Sequence, residues 1–240
     1  ISAAILVFCN IHLLLSLPFF RNIPGKQLYL ASLFCALLWG LNPVQTQAVT
    51  YIVQRLTSLA GMLCFLSFFL YLKGRRCFQH ENRKPAYFMF AGSFLFWGMA
   101  LLTKEISLTL PGFVLLFEFL FFRGIETLNV KRLMQAAAVC CALLLLIALV
   151  RPGSFAYITE GYSTRQFTMY ERILTEFRIV VRYITLFILP LPGRLNLDYN
   201  YIISTDIVTP VTTLLSMLFI FGLFGYSLLT LKRDPVISFC

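Results

Sequence analysis

The chain has 240 residues, of which 59% are hydrophobic and only 12% charged, with a formal net charge of +10 and a mean hydropathy of +0.82. A soluble domain carries about 25% charged residues, so this composition excludes an ordinary soluble enzyme and points to a membrane protein. The apolar runs are long and do not alternate, and lipid satisfies no bare backbone group, so the spans are expected to be helices rather than barrel strands.

In chain order, apolar segments fall at about 3 to 20, 28 to 41, 56 to 72, 86 to 103, 106 to 122, 133 to 150 and 209 to 231, with a half-apolar stretch at 168 to 190. The expected fold is all-α: a polytopic transmembrane bundle of about seven spanning helices plus one interfacial helix. No repeat, low-complexity tract or soluble domain is visible. Beginning at Ile1 and stopping inside "PVISFC", the sequence reads as an internal piece of a longer protein.

Lys and Arg near span ends stay cytoplasmic. The loops "RNIPGK", "KGRRCFQHENRK", "RGIETLNVKR" and "KRD" hold 12 of the 20 basic residues and alternate along the chain. They are expected on the cytoplasmic side, which places residues 42 to 55, the "TKE" turn and the region of about 151 to 208 on the opposite, outer face. The positive charge is thereby topological, and a nucleic-acid partner is not expected.

The outer region must start and end on one side, yet it contains "TMYERILTEFRIVVRYITLFILP". Glu171, Thr175, Arg178 and Arg182 recur at helical spacing as a polar stripe, with Ile173, Phe177, Val180, Val181 and Ile184 mostly opposite, the pattern of a helix lying in the interface.

Three polar interruptions carry the candidate chemistry. In "NPVQTQAVTYIVQRLTSL" Pro43 breaks the preceding helix, and helical spacing from Gln47 onward puts Gln47, Tyr51, Arg55 and Ser58 on one face. An intramembrane arginine is costly unless it meets a cavity or partner. In "LLTKEISLTLP", Lys104 and Glu105 point about 100° apart on a helix, so each is expected to seek another partner. Basic residues such as Arg55 and Lys104 suit a lipid phosphate, with Glu105 orienting them or a sugar hydroxyl. In "PLPGRLNLDYNY", Arg194, Asn196, Asp198, Tyr199 and Tyr201 cluster in a Pro-flanked loop. Glu118, near the basic loop at Arg123, reads as a structural pairing or snorkelling residue near the cytoplasmic interface rather than a catalytic one. The seven cysteines lie mostly inside apolar runs, with no metal-ligand spacing, and are expected to pack; no divalent metal is indicated.

Those stretches, taken as "NPVQTQAVTYIVQRLTSLAGMLCFLSFFLYLKGR", "LLTKEISLTLPGFVLLFEFLFF" and "LTEFRIVVRYITLFILPLPGRLNLDYNY", resemble in order and spacing the motifs of bacterial membrane tetratricopeptide-repeat proteins similar to the transmembrane and tetratricopeptide-repeat O-mannosyltransferases, of the GT-C class. The resemblance implies transfer of a sugar from a polyprenyl-phosphate carrier to a Ser or Thr hydroxyl of an exported polypeptide, on the outer face of a bacterial inner membrane. The matching positions are Asn42, Gln47 and Arg55, then Lys104 and Glu105, then Asn196, Asp198 and Tyr199. The sequence departs from the family where His often stands at Asn42 and Glu at Gln47. The expected acidic base lies in an outer loop preceding Ile1, and the acceptor-binding repeat domain is likewise outside the chain, so residues 1 to 240 read as an incomplete GT-C-like domain. Arg55 and Lys104, with Arg178 or Arg182, would stabilise the phosphate leaving group. A non-catalytic membrane subunit or scaffold of a larger assembly is the alternative. A transporter is less favoured because no repeated half is visible.

Overall fold

The computed structural model describes residues 1–17, 20, 23–123, 162, 165, 167–195, 201–231 and 233–239. Helices dominate and no strand occurs among the described residues. The chain divides into two compact units, Ile1–Glu118 and Phe119–Cys240, described in turn.

The first unit contains α1 (Ser2–Leu15), α2 (Gly25–Gly40), the short α3 (Thr46–Thr50), α4 (Arg55–Gln79), α5 (Arg83–Thr103) and α6 (Leu110–Glu118). By length and composition, Arg55–Gln79, Arg83–Thr103 and Glu105–Phe122 are each able to cross a membrane. The 14 residues of α1 and 16 of α2 reach about 21 and 24 Å at 1.5 Å per residue, short of a hydrocarbon core of about 30 Å.

The hairpin of α4 and α5 is built on small residues. Ala60, Ala86 and Ala100 are fully buried, while Phe88, Phe94, Leu95 and Leu102 are exposed. Lipid tails are as apolar as Leu, so helix association in a bilayer rests on close backbone approach and interhelical hydrogen bonds. Ser67 Oγ donates to Ser93 O at 2.8 Å and lies 3.1 Å from Ser93 Oγ. At Gly74, a Cβ would stand 2.8 Å from Phe90 Cε1 and 3.3 Å from Ala86 O, so any larger residue would force the Phe90 ring to shift at this crossing. The residues Lys73 to Lys84, read as a loop, are mostly helix: α4 runs through Gln79 and α5 begins at Arg83. Lys and Arg are good helix formers and carry their charges outward on long stems. The tight turn between uses Glu81 at φ 61°.

Other elements dock on α4. Asn10 Nδ2 of α1 donates to Phe65 O at 3.0 Å as well as to Leu6 O at 2.9 Å. Trp39 of α2 meets Phe65 edge-on at 5.5 Å. Phe113 and the fully buried Phe117 of α6 meet Phe68 at 5.2 and 5.3 Å.

The second unit opens on the π-helical turn Phe119–Arg123 and continues, among described residues, with α7 (Met169–Ile188), α8 (Val211–Thr230) and the short α9 (Pro235–Phe239). Val211–Thr230 is the fourth helix able to span. The span expected at 133 to 150 lies outside the described residues. Thr168 caps α7 through a capping box: its Oγ1 accepts from Glu171 N at 3.3 Å and Glu171 Oε2 accepts from Thr168 N at 2.7 Å. The "TMYE" sequence is the local cause. On α8, Ser227 Oγ donates to Ser238 O of α9 at 2.7 Å.

Two expectations follow. Gly74→Ala lowers the melting temperature of the detergent-solubilised protein relative to Gly98→Ala, whose added Cβ meets nothing within 4 Å; overpacking of a tight contact costs about 1–3 kcal/mol, and equal melting of the two variants would refute the close crossing. The Glu171 carboxyl is held below its ordinary range, first by the Thr168 backbone N–H and then by the Thr168 hydroxyl. Its folded value thus lies below its unfolded one, so the cap is fully present above the unfolded value and is lost as pH falls through the folded one. Amide exchange at the first turn of α7 should rise at acid pH, and should lose that dependence in Glu171→Gln.

Candidate functional site

The polar stretch after α2 does not fold as one helix. Asn42 Oδ1 accepts from Val44 N at 3.0 Å and caps a 3₁₀ turn, Pro43–Gln45. Then α3 covers Thr46–Thr50, Tyr51 is extended at φ −96° and ψ 107°, and a second 3₁₀ turn, Ile52–Gln54, leads into α4 at Arg55. The continuous helical face expected for Gln47, Tyr51, Arg55 and Ser58 is therefore broken at Tyr51. The run Thr46, Val49, Thr50, Ile52, Val53 is rich in β-branched residues, which lose χ1 freedom in a helix, and it offers little resistance to the break. Ser58 Oγ ties the layers together, donating to Gln54 O at 3.1 Å and lying 3.5 Å from Ala48 O.

The break opens a cavity of about 400 Å3 at one end of the first unit. Its walls are the start of α1 (Ile1, Ala3, Ala4), the end of α2 (Trp39, Gly40), and, from the interrupted stretch and α4, Gln45, Gln54, Thr57 and Ser58 above Gly61, Met62 and Phe65. Two amides and two hydroxyls thus face an indole and an otherwise apolar floor. That combination suits a polyhydroxylated group, whose hydroxyls both donate and accept and whose C–H faces lie on aromatic rings.

Lys104 is brought to the same wall. The α5 helix ends there in extended backbone, φ −158° and ψ 135°, and its half-buried side chain donates from Nζ to Thr57 Oγ1. No carboxylate lies within ion-pair distance of it among the described residues. Ser107 pins the following 3₁₀ turn, Glu105–Thr109: its O accepts from Trp97 Nε1 at 3.0 Å and its Oγ donates to Ala100 O at 3.1 Å. Arg55 and Glu105 are exposed and do not line the cavity; Arg55, two residues before Thr57 in the first turn of α4, also has no ion pair among the described residues. Tyr51 is exposed. The Gln47 side chain, Asn196, Asp198 and Tyr199 lie outside the described residues. Sequence reasoning missed Trp39, Gln45, Gln54 and Thr57, although three of the four stand in or beside the stretch it singled out.

Glu118 pairs, as expected for a structural group, but with α4: Arg75 Nη2 lies 2.7 Å from Glu118 Oε1, and the Tyr71 hydroxyl donates to Glu118 Oε2. The described cysteines Cys9, Cys35, Cys64 and Cys77 are free thiols, and no group of three His, Cys, Asp or Glu gathers among the described residues.

In the second unit Arg178 and Arg182 hold chain. Arg178 Nη1 donates to Ile202 O at 2.7 Å and Ser204 Oγ at 3.2 Å, with its guanidinium 4.7 Å from the Tyr201 ring centre. Arg182 Nη2 donates to Arg194 O at 3.3 Å, 6.0 Å from the same ring. Beneath them runs a buried hydroxyl chain: Ser204 N donates to Thr175 Oγ1 at 2.9 Å, and Ser204 Oγ lies 2.8 Å from Thr213 Oγ1 of α8.

Four helices long and apolar enough to span, with a largely apolar cavity edged by a few amides and hydroxyls at one end of the first unit, define an integral, polytopic α-helical membrane protein. Human protein O-mannosyl-transferase TMTC4 is similar to it, 31% identical over 109 residues, which is 44% of this chain and 15% of that protein's length. No family model and no solved structure matches the chain. The relative being human, the comparison adds nothing to the bacterial setting implied by the resemblance.

Arg178→Ala should release the 201–204 segment. Hydrogen bonds to charged groups contribute about 1.5–3 kcal/mol, so exchange of the Ser204 amide should rise by at least about tenfold, with Arg178→Lys intermediate. Unchanged exchange would show that the arginine does not hold the segment.

Proposed function

We propose that the chain is part of a membrane glycosyltransferase that moves a sugar from a polyprenyl-phosphate carrier to a Ser or Thr hydroxyl of an exported polypeptide. The 31% identity to a protein O-mannosyl-transferase is the observation that carries this reading; the cavity is where we place it. Gln45, Gln54 and Ser58 would bind sugar hydroxyls, and Trp39 would offer a ring face. Lys104, with Arg55 at the same end of α4, would meet the carrier phosphate and stabilise it as the leaving group, while Glu105 would orient the sugar or its neighbour Lys104. The acceptor oxygen attacks the anomeric carbon, the bond to phosphate breaks, and the hydroxyl proton passes to a general base. The site would face the side opposite the basic loops. GT-C membership, the repeat domain and an exported acceptor belong to this proposal.

A non-catalytic membrane subunit is the second reading. One observation favours it: no carboxylate lines the cavity among the described residues.

Binding of a polyprenyl-phosphate sugar to the full-length protein in nanodiscs tests the first. Removing a charge-assisted hydrogen bond worth about 1.5–3 kcal/mol weakens binding about tenfold to a hundredfold, the result expected for Lys104→Gln and Arg55→Ala. Arg55→Lys, which loses the planar fork, should recover part. Variants that bind as the parent does, within about 0.5 kcal/mol as at ordinary surface positions, would remove the phosphate role. Donor binding without transfer to any hydroxyl would favour the second reading.

A further inference from the structure

The α7 helix carries its polarity inside out. Much of its polar stripe is engaged by the protein itself: Thr175 is buried, and the half-buried Arg178 and Arg182 turn to Ile202 O, Ser204 Oγ and Arg194 O, while Glu171 caps the helix start. The opposite face holds Ile173 at 49% exposure, Val180 at 43%, Tyr183 at 65% and Phe187 at 58%. In water this arrangement is unfavourable, since it turns the arginines toward protein and displays a row of large apolar side chains. In a bilayer it is the favourable one. The sole ion pair on that side among the described residues, Arg172 Nε to Glu176 Oε1 at 3.6 Å, is neutral as a pair, and the Arg172 stem is long enough to carry its head toward headgroups.

We propose that this face of α7 is a lipid-binding surface, set against the acyl chains of one leaflet with the helix axis along the interface. Two observations select lipid over a protein partner. The face offers no hydrogen-bonding group but the Tyr183 hydroxyl and the paired charges, whereas protein interfaces carry about one hydrogen bond per 100–200 Å2. It also continues the exposed apolar surface of α8, a helix able to span: Phe177 of α7 lies 5.9 Å from Phe221, and Leu215, Leu218 and Phe221 are exposed in turn. An in-plane lie keeps Arg172 and Glu176 at headgroup depth, where a crossing helix would carry its charged half through hydrocarbon at a cost. The inference does not depend on the glycosyltransferase reading.

An environment-sensitive fluorescent amino acid, inserted by codon suppression at Ile173, Val180, Tyr183 or Phe187 of the full-length protein in phosphatidylcholine nanodiscs, provides the test. The quenchers are a lipid bearing a nitroxide near the top of its acyl chain and aqueous iodide, calibrated on the same probe at the exposed turn residue Glu81. All four positions should lose most of their emission to the lipid quencher and little to iodide. Ile173 and Phe187, about 21 Å apart along the helix, should be quenched alike. Quenching by iodide means the face is in water, and quenching by neither means protein covers it; each overturns the proposal. A steep difference between Ile173 and Phe187 overturns the in-plane lie.

Discussion

Hydrocarbon does not drive apolar helices together, because a leucine gains little by exchanging a lipid tail for another leucine. Everything that orders the first unit follows from that constraint. The α4–α5 hairpin closes where side chains are smallest, at Ala60, Gly74, Ala86 and Ala100. It is keyed by the Ser67–Ser93 contact and flanked by the Asn10 amide on Phe65 O. Many large side chains, Phe88, Phe94, Leu95 and Leu102 among them, point outward, although Phe68, Leu72 and Phe117 pack inside. A soluble protein of this sequence would do the reverse, and the same inversion recurs on α7, where arginines turn in and aromatics out.

The constraint also explains why chemistry gathers at helix ends. Each α-helix leaves unsatisfied backbone groups at its termini, and at the end shared by the finish of α2, the start of α4 and the finish of α5, polar side chains cluster around them. Near Glu118 the charges are closed on one another: Arg75 and Tyr71 both reach its carboxylate, which stabilises a junction and leaves little for a ligand. Lys104 differs, since its ammonium meets a hydroxyl rather than an anion.

Much of the architecture was legible because apolar run length and lipid physics leave few choices. The runs at 56 to 72, 86 to 103, 106 to 122 and 209 to 231 each became a helix able to span, and "TMYE" announced the start of α7. The helix ends were not legible, because a snorkelling Lys or Arg extends a helix without changing the apolar count, as at Lys73 to Gln79. Nor was the break at Tyr51. Periodicity places residues on a face only if the helix is continuous, and the interrupted stretch is where that assumption fails. The cavity consequently drew on Gln45, Gln54 and Thr57, which a regular helix would have distributed around its axis. The contact of Lys104 with Thr57, 47 positions away, follows from the α4–α5 crossing and from nothing local.

Arginine marks the limit of reading side chains by type. In sequence, Arg55, Arg178 and Arg182 are equivalent cations beside or within apolar segments. In the fold, Arg178 directs Nη1 to Ile202 O and Ser204 Oγ and stacks on Tyr201, and its Nε is enclosed away from solvent. A guanidinium so engaged could form a bidentate fork on phosphate only by releasing the segment it holds, leaving Ile202 O and the Ser204–Thr213 pair to find other partners in a poorly hydrated place. Arg55 faces no such conflict: it is exposed, without an ion pair among the described residues, and stands at the first turn of α4, where the helix N-terminus adds partial positive charge of its own. Competing demands on the donor, rather than the charge, separate a residue that shapes the protein from one free to meet a ligand.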